Sequence, residues 1–143
     1  MKHLLLISVF LISSLSVFAQ NQNGKAPDPY EIAQKEYDRI NKRLGIKPEQ
    51  EFYVDSTLVH NFSKMMEEVM VLQMGGMERP ETYEHVRDKW NDRTLEAFKK
   101  IFDKEQYYNY MMMIGKGKEI RAERKAYLKA KKEAEKKKEE EKE

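Results

Sequence analysis

Few side chains in this sequence have the types and spacing that catalysis requires. Ser56, His60 and Ser63 lie about one helical turn apart, and a serine beside a histidine can act as a nucleophile with its base. No nucleophile-elbow or oxyanion motif accompanies them. Gly75-Gly76 also lacks the Lys-Ser/Thr that follows in a phosphate-binding loop. We therefore expect a protein that is not an enzyme and that carries no cofactor.

The methionines suggest a second kind of chemistry, because thioether sulfurs can bind Cu(I). Only His60 and His85 follow His3, the chain has no cysteine, and no His-x-x-x-His pair occurs. We therefore expect no metal site. Methionine is also flexible and suits core filling or promiscuous apolar surfaces. Three consecutive methionines in a helix cannot all be buried. We predict a client-binding or dimer surface from the methionine clusters and nearby tyrosines: Met66, Met70, Met111, Met112, Met113, Tyr107 and Tyr110.

Two short stretches repeat one pattern, an apolar residue followed four positions later by a glutamine. They are Ile46-Lys47-Pro48-Glu49-Gln50 and Phe102-Asp103-Lys104-Glu105-Gln106, which begin 56 residues apart (102 − 46). Each glutamine falls where its side chain can bond back to the N-cap backbone N–H. Asp103 can accept an N–H as well, whereas the ammonium of Lys47 cannot. We predict helix-cap roles for Ile46, Gln50, Phe102, Asp103 and Gln106, and helix stability alone explains such roles.

Four amphipathic helices position these residues. Apolar side chains recur at spacings of three and four, and no segment alternates with a period of two, so we predict an all-α fold. Pro29, Pro48 and Pro80 suit first helical positions, whereas Gly45 and Gly75-Gly76 suit helix ends. The predicted helices run from Pro29 to Leu44, from Pro48 to Met74, from Pro80 toward Asp103, and from Lys104 onward.

The first residues have the features of a secretory signal peptide. Lys2 precedes an apolar run from Leu4 to Ile12, and Val17-Phe18-Ala19 provides small residues at the positions that signal peptidase reads. We predict cleavage after Ala19 and a periplasmic location. Without cysteine the product has neither a lipoprotein anchor nor disulfides. No later apolar run approaches the roughly 20 residues of a membrane span.

Charge divides the rest of the chain. Residues 20–27 are polar and read as a disordered leader. Residues 28–115 form the predicted helical domain, and residues 116–143 are a tail with 12 basic and 8 acidic residues. The tail has strong helix formers and little to bury, so it is either a solvated helix or disordered. It either keeps the protein soluble or contacts an acidic partner or anionic lipid. Export argues against nucleic acid.

Export, the absence of cysteine and a helix–motif–helix unit that occurs twice together resemble the Spy/CpxP family of periplasmic proteins, which carries a doubled Leu-Thr-x-x-Gln motif. The resemblance covers about residues 28–128. Gln50 and Gln106 keep the motif glutamine, while Ile46 and Phe102 replace leucine and Lys47 and Asp103 replace threonine. The resemblance implies two antiparallel helical hairpins that pair into a thin, cradle-shaped homodimer.

The same resemblance implies ATP-independent, chaperone-like binding of unfolded or misfolded envelope proteins. Two alternatives remain open within it: a regulatory protein that docks on one envelope-stress sensor, and a metal-binding stress protein. A domain of under about 100 residues built from long amphipathic helices cannot enclose all of its apolar faces. We therefore expect some apolar surface to be left for a partner.

Overall fold

The computed structural model describes residues 28–77 and 79–140. The predicted signal peptide and leader, residues 1–27, lie outside the described residues. The described chain consists of helices joined by short connections, with no strand among these residues, and the all-α prediction is confirmed. The helices are α1 (Pro29–Leu44), α2 (Pro48–Met74), α3 (Pro80–Ile101), α4 (Lys104–Met113) and α5 (Arg121–Glu140).

Local signals set the ends of α1. The side chain of Asp28 accepts a hydrogen bond from the backbone N–H of Tyr30 at 2.9 Å, and Pro29 takes the first helical position. Gly45 ends the helix in the left-handed conformation, with φ +64°, and its N–H bonds to the carbonyl of Asn41. Glycine adopts this conformation without the Cβ clash that other residues meet.

Helices α2, α3 and α4 begin in two different ways. Pro48 and Pro80 open α2 and α3, and neither preceding residue provides a side-chain cap. Asp103 caps α4 by accepting the N–H of Gln106 at 2.9 Å. The predicted difference between the two motifs is therefore present, because Lys47 makes no such bond whereas Asp103 does.

The core lies where the first four helices meet. Helix α2 packs against α1 and α3, and α4 packs against α1 and α3. Aromatic rings fill the α3–α4 side, with Phe98 4.7 Å from Phe102 and 5.0 Å from Tyr110 between ring centroids. The buried cluster consists of Ala33, Ile40, Ile46, Val54, Leu58, Phe98, Phe102 and Tyr110.

Most of the described part of the basic tail is helical: residues 116–120 form a connection, and α5 follows from Arg121 to Glu140. Helix α5 contains no buried residue. It contacts α4 through Tyr127, whose ring lies 5.6 Å from that of Tyr108, and through Lys131, whose ammonium lies 2.6 Å from the carboxylate of Glu105. Ile120 is buried just before α5 begins. Among the described helices, none is both long enough and apolar enough to cross a lipid bilayer.

Candidate functional site

The two glutamine motifs meet in space. The side-chain amides of Gln50 and Gln106 bond to each other twice: each Nε2 donates to the other Oε1, at 2.8 Å from Gln50 and 3.0 Å from Gln106. Both side chains are buried. A buried amide that finds no partner costs about 1–3 kcal/mol. Each glutamine therefore depends on the other, although 56 residues separate them.

Backbone groups complete the same bonding at each glutamine. Gln50 Nε2 also donates to the carbonyl of Ile101 at 2.8 Å, and Gln106 Nε2 donates to the carbonyl of Gly45 at 3.1 Å. Each of these carbonyls belongs to the residue just before the apolar residue of the opposite motif. They are carbonyls that the helix ends leave without a helical partner. The two motifs are thus related by an approximate two-fold symmetry.

The acceptor oxygens repeat this symmetry. Oε1 of Gln50 accepts the backbone N–H of Lys47 at 3.0 Å, and Oε1 of Gln106 accepts the N–H of Asp103 at 3.2 Å. Every donor and acceptor of both amides is now used. Turning either amide over would place its NH₂ against backbone N–H groups, so the bonding defines the orientation of both side chains. We call this arrangement the glutamine junction.

An ion pair lies at the outer edge of the glutamine junction. Lys47 Nζ lies 3.0 Å from Oδ2 of Asp103. The backbone N–H of Gln106, followed by the Lys47 ammonium, holds the pKa of the Asp103 carboxyl below its ordinary value. The bond to Asp103 in turn raises the pKa of Lys47. Both side chains are about half exposed, so this pair contributes less to stability than the buried amides.

The predicted motif residues are thus brought together. Ile46 and Phe102 are both buried in the core, and Gln50, Asp103 and Gln106 form the junction. Amides are neutral and do not ionise near neutral pH, so the side chains of Gln50 and Gln106 cannot act as general acids or bases. Its geometry fastens the start of α2 to the start of α4.

The predicted methionine surface is divided between core and solvent. Met111 is 3% exposed and Tyr110 is 6% exposed, so both belong to the core and neither lies on a surface of the described chain. Tyr110 packs against Phe98, whereas Met111 lies in a second buried cluster with Tyr108 and Ile120. Met112 is 51% exposed, as the angular spread of three consecutive helical residues requires. Met66, Met113 and Tyr107 are partly buried.

Most exposed methionine lies elsewhere, at the end of α2. Met70 is half exposed and Met74 is 75% exposed, and Val71 and Met77 are exposed beside them. We call these four residues the methionine tip. Tyr83 Oη donates to the carbonyl of Met77 at 2.6 Å, which ties the chain after α2 to the first turn of α3.

The exposed aromatic residues of α2 are a feature that the sequence interpretation missed. Phe52 is apolar and belongs to an amphipathic helix, yet it is exposed. The buried positions are Val54 and Leu58, and Phe52 precedes Val54 by two residues, which is about 200° around a helix. The angle of Phe52 around the helix, measured from the positions of Val54 and Leu58, could have predicted from the sequence that Phe52 is exposed. Phe52 instead packs edge-on against exposed Tyr53, at 5.6 Å between centroids.

Ser56, His60 and Ser63 line a shallow depression of about 550 Å³ with Asp55. No hydrogen bond joins these side chains within the described chain. Among residues 28–77 and 79–140, no group of three or more His, Cys, Asp or Glu side chains is placed to hold a metal ion.

Comparison with known proteins adds no relative to these observations. No protein-family model matches the chain, and no curated protein or solved structure matches it. Its function must therefore be inferred from its own residues, which offer the buried glutamine junction and the exposed apolar surfaces described above.

Proposed function

We propose that this protein is an ATP-independent, chaperone-like binder of unfolded or misfolded envelope proteins. The methionine tip is the observation that carries the proposal. Only the first half of α2 contains buried residues, the last of them Leu58, yet the second half from Val59 to Met74 is largely apolar. Long apolar side chains without a partner in the chain are suited to contact apolar segments of another protein.

The chemistry of the tip favours many partners over one. Methionine has three rotatable bonds and a polarizable sulfur, so it adapts its shape to different apolar side chains. A tip that can re-pack around its ligand gives low specificity. Within the described chain the tip residues lie beside no nucleotide-type loop, since α2 ends at Gly75-Gly76 without a following Lys-Ser/Thr. ATP dependence therefore has no support in these residues.

Three further proposals belong to the same function. The resemblance to the Spy/CpxP family supports an arrangement of paired helical hairpins and a homodimer. The sequence of residues 1–19 supports export to the periplasm with cleavage after Ala19. The absence of cysteine is compatible with an oxidising compartment, since no free thiol can be misoxidised there.

Aggregation of a reduced, unfolding client protein tests the proposal. We expect the purified protein to suppress light scattering at near-equimolar ratio without ATP. A Met70→Ser/Met74→Ser variant should lose most of this suppression, because it removes apolar contact area at two exposed positions. Met111 is unsuitable for this test, since its replacement would open a cavity in the core.

Gln73→Ser is the matched control, because Gln73 is also exposed on the last turns of α2. It should suppress scattering as the wild type does. Folded wild-type protein that leaves the scattering unchanged would contradict the proposal. A single saturable partner in a pull-down from envelope extract, without activity on generic clients, would instead favour a dedicated regulatory role.

A further inference from the structure

A second surface, separate from the methionine tip, lies where α4 ends and α5 begins. A shallow groove of about 860 Å³ runs from the end of α4 and the connection after it along α5. Six cationic side chains line it: Lys118, Arg121, Arg124, Lys125, Lys129 and Lys132. We call it the basic groove. No acidic side chain lines it.

Helical spacing explains why the cations collect on this side. Arg121, Lys125, Lys129 and Lys132 fall within about 80° of each other around α5, at 100° per residue. The contacts to α4, through Tyr127 and Lys131, lie on the other side of the helix, about 140° from the middle of this row. Docking of α5 on α4 therefore turns the row of cations outward, where it lines the groove.

The groove also has an apolar floor. Met112, from the last turn of α4, and Leu128, from the middle of α5, both line it and are both exposed. A Cβ placed at Gly117 would lie 2.3 Å from Met112 Sδ, so the missing side chain at that position leaves room for the methionine. Apolar floor and cationic rim together fit an acidic partner that carries bulky apolar side chains.

The cations of the groove have few acidic partners among the described residues. Among residues 28–77 and 79–140, Lys129 is the one groove cation with a carboxylate within 4.0 Å, and that contact to Glu133 is 3.9 Å long. Like charges so close together repel one another until an anion reaches them. The groove is therefore poised for an acidic ligand.

The same chain exposes a surface with the opposite character. On the first turns of α2, Phe52 is 73% exposed and Tyr53 is 58% exposed. Glu49, Glu51 and Asp55 surround the two rings and are exposed, and no salt bridge holds them within the described chain. Residues 48–63 contain no lysine or arginine. We call Glu49, Glu51, Phe52, Tyr53 and Asp55 the acidic aromatic patch.

We propose that the acidic aromatic patch of one copy of this protein docks in the basic groove of a second copy. Three kinds of contact match. Carboxylates meet guanidinium and ammonium groups, aromatic rings meet the sulfur of Met112, and the faces of the rings accept nearby Arg or Lys cations. The two adjacent rings provide apolar groups for the floor of the groove, and the carboxylates beside them provide the acidic groups that its lining lacks.

Each protomer carries both surfaces, so a two-fold axis lets the contact form twice in one dimer. An anionic membrane fits the groove less well. A flat lipid surface would meet the cations, but the groove offers Met112 and Leu128 as its apolar side chains, and α5 exposes too few others for insertion among lipids. The contact uses none of the residues of the methionine tip.

Charge reversal on each side tests the contact through the mass of the purified protein in sedimentation velocity. We expect a dimer at about 0.05 M NaCl that dissociates at about 0.5 M, because salt screens exposed charges. Arg124→Glu/Lys125→Glu and Glu49→Lys/Asp55→Lys should each weaken self-association by roughly tenfold or more. An equimolar mixture of these two variants should associate again, because both contacts are then attractive.

Control variants make charge changes of the same size on α3, away from both surfaces. Lys99→Glu/Lys100→Glu and Glu81→Lys/Glu84→Lys alter exposed residues of α3 and should leave dimerisation unchanged. Circular dichroism checks that every variant is helical. A protomer mass for the wild type at low salt, or a mixture of reversed variants that stays dissociated, would overturn the proposal. So would a monomer whose groove binds phosphatidylglycerol vesicles, since that result assigns the groove to membrane.

Discussion

At the scale of single residues, the glutamine junction shows how a helix cap can also be a tertiary contact. Gln50 and Gln106 each have an ordinary local role at the third position of a helix. The amide groups left over from that role are buried, and each is satisfied by the other. A local cap alone would leave both NH₂ groups unpaired in the core, which costs more than the cap contributes.

The first prediction concerns the coupling of the two glutamines. Gln106→Ala should lower the free energy of unfolding by about 2–3 kcal/mol, because it removes its own bonds and leaves the buried Gln50 amide without its partner. Gln50→Ala should have a similar effect. The double variant should lose clearly less than the sum of the two. Urea unfolding followed by circular dichroism measures these values.

Gln73→Ala is the matched control, because Gln73 is exposed on the same helix as Gln50. It should change the free energy of unfolding by no more than about 0.5 kcal/mol. Additive losses in the double variant would show that the two amides act as separate caps.

The second prediction concerns pH. The pKa of Asp103 is held below its ordinary value of 3.8, first by the N–H of Gln106 and then by Lys47. As the pH falls, Asp103 therefore becomes protonated at a higher pH in the unfolded chain than in the folded protein. The stabilisation is present above the ordinary value and is lost as pH falls below it, through the lowered pKa. Asp103→Asn keeps a capping oxygen but cannot ionise, so its deficit in urea midpoint should be largest at neutral pH and should shrink in acid. A deficit that is constant from pH 7 to pH 3 would contradict this account.

At the scale of the elements, proline and glycine define where helices begin and end, and glycine does so by two mechanisms. Gly45 follows α1 with φ +64°, a conformation that only glycine adopts cheaply, and its carbonyl accepts a bond from Gln106. Gly75 follows α2 with φ −78°, which any residue can adopt. The backbone conformation therefore requires glycine at position 45 but not at position 75.

The third prediction follows from this difference. Gly45→Ala should destabilise the protein by about 1 kcal/mol, because alanine is strained at positive φ. Gly75→Ala should be close to neutral, since its new Cβ would meet the carbonyls of Val71 and Leu72 at ordinary contact distances of 3.4 and 3.5 Å. Thermal unfolding of the two variants side by side measures this. Equal losses would show that backbone conformation is not what these glycines provide.

At the scale of the whole molecule, the described residues place stability and exposure in different regions. The junction and the aromatic core hold the start of α2 against α3 and α4. The second half of α2 and all of α5 contain no buried residue. The methionine tip and the basic groove lie on these weakly enclosed elements. The proposed client binding and the proposed self-association can therefore be tested separately, because the two surfaces share no residue.

Local chemistry in the sequence determined the helices. Asp28-Pro29, Pro48, Pro80 and Asp103 mark starts, and a spacing of three and four shows the period of a helix, since both signals act over a few residues along the chain. The sequence also indicated that the methionines of α4 could not all be buried. These features can be predicted without knowing which helices contact one another.

Only the tertiary structure decided which side chains meet. The pairing of Gln50 with Gln106, the burial of Met111 and Tyr110, and the exposure of Phe52 all depend on how α4 and α2 are rotated toward their neighbours. Helical periodicity shows which residues share a face of a helix, but it does not show which neighbour that face contacts. A short apolar stripe is compatible with several rotations of the helix about its own axis. Packing of separate helices selects one rotation, and with it the surfaces that are left for a partner.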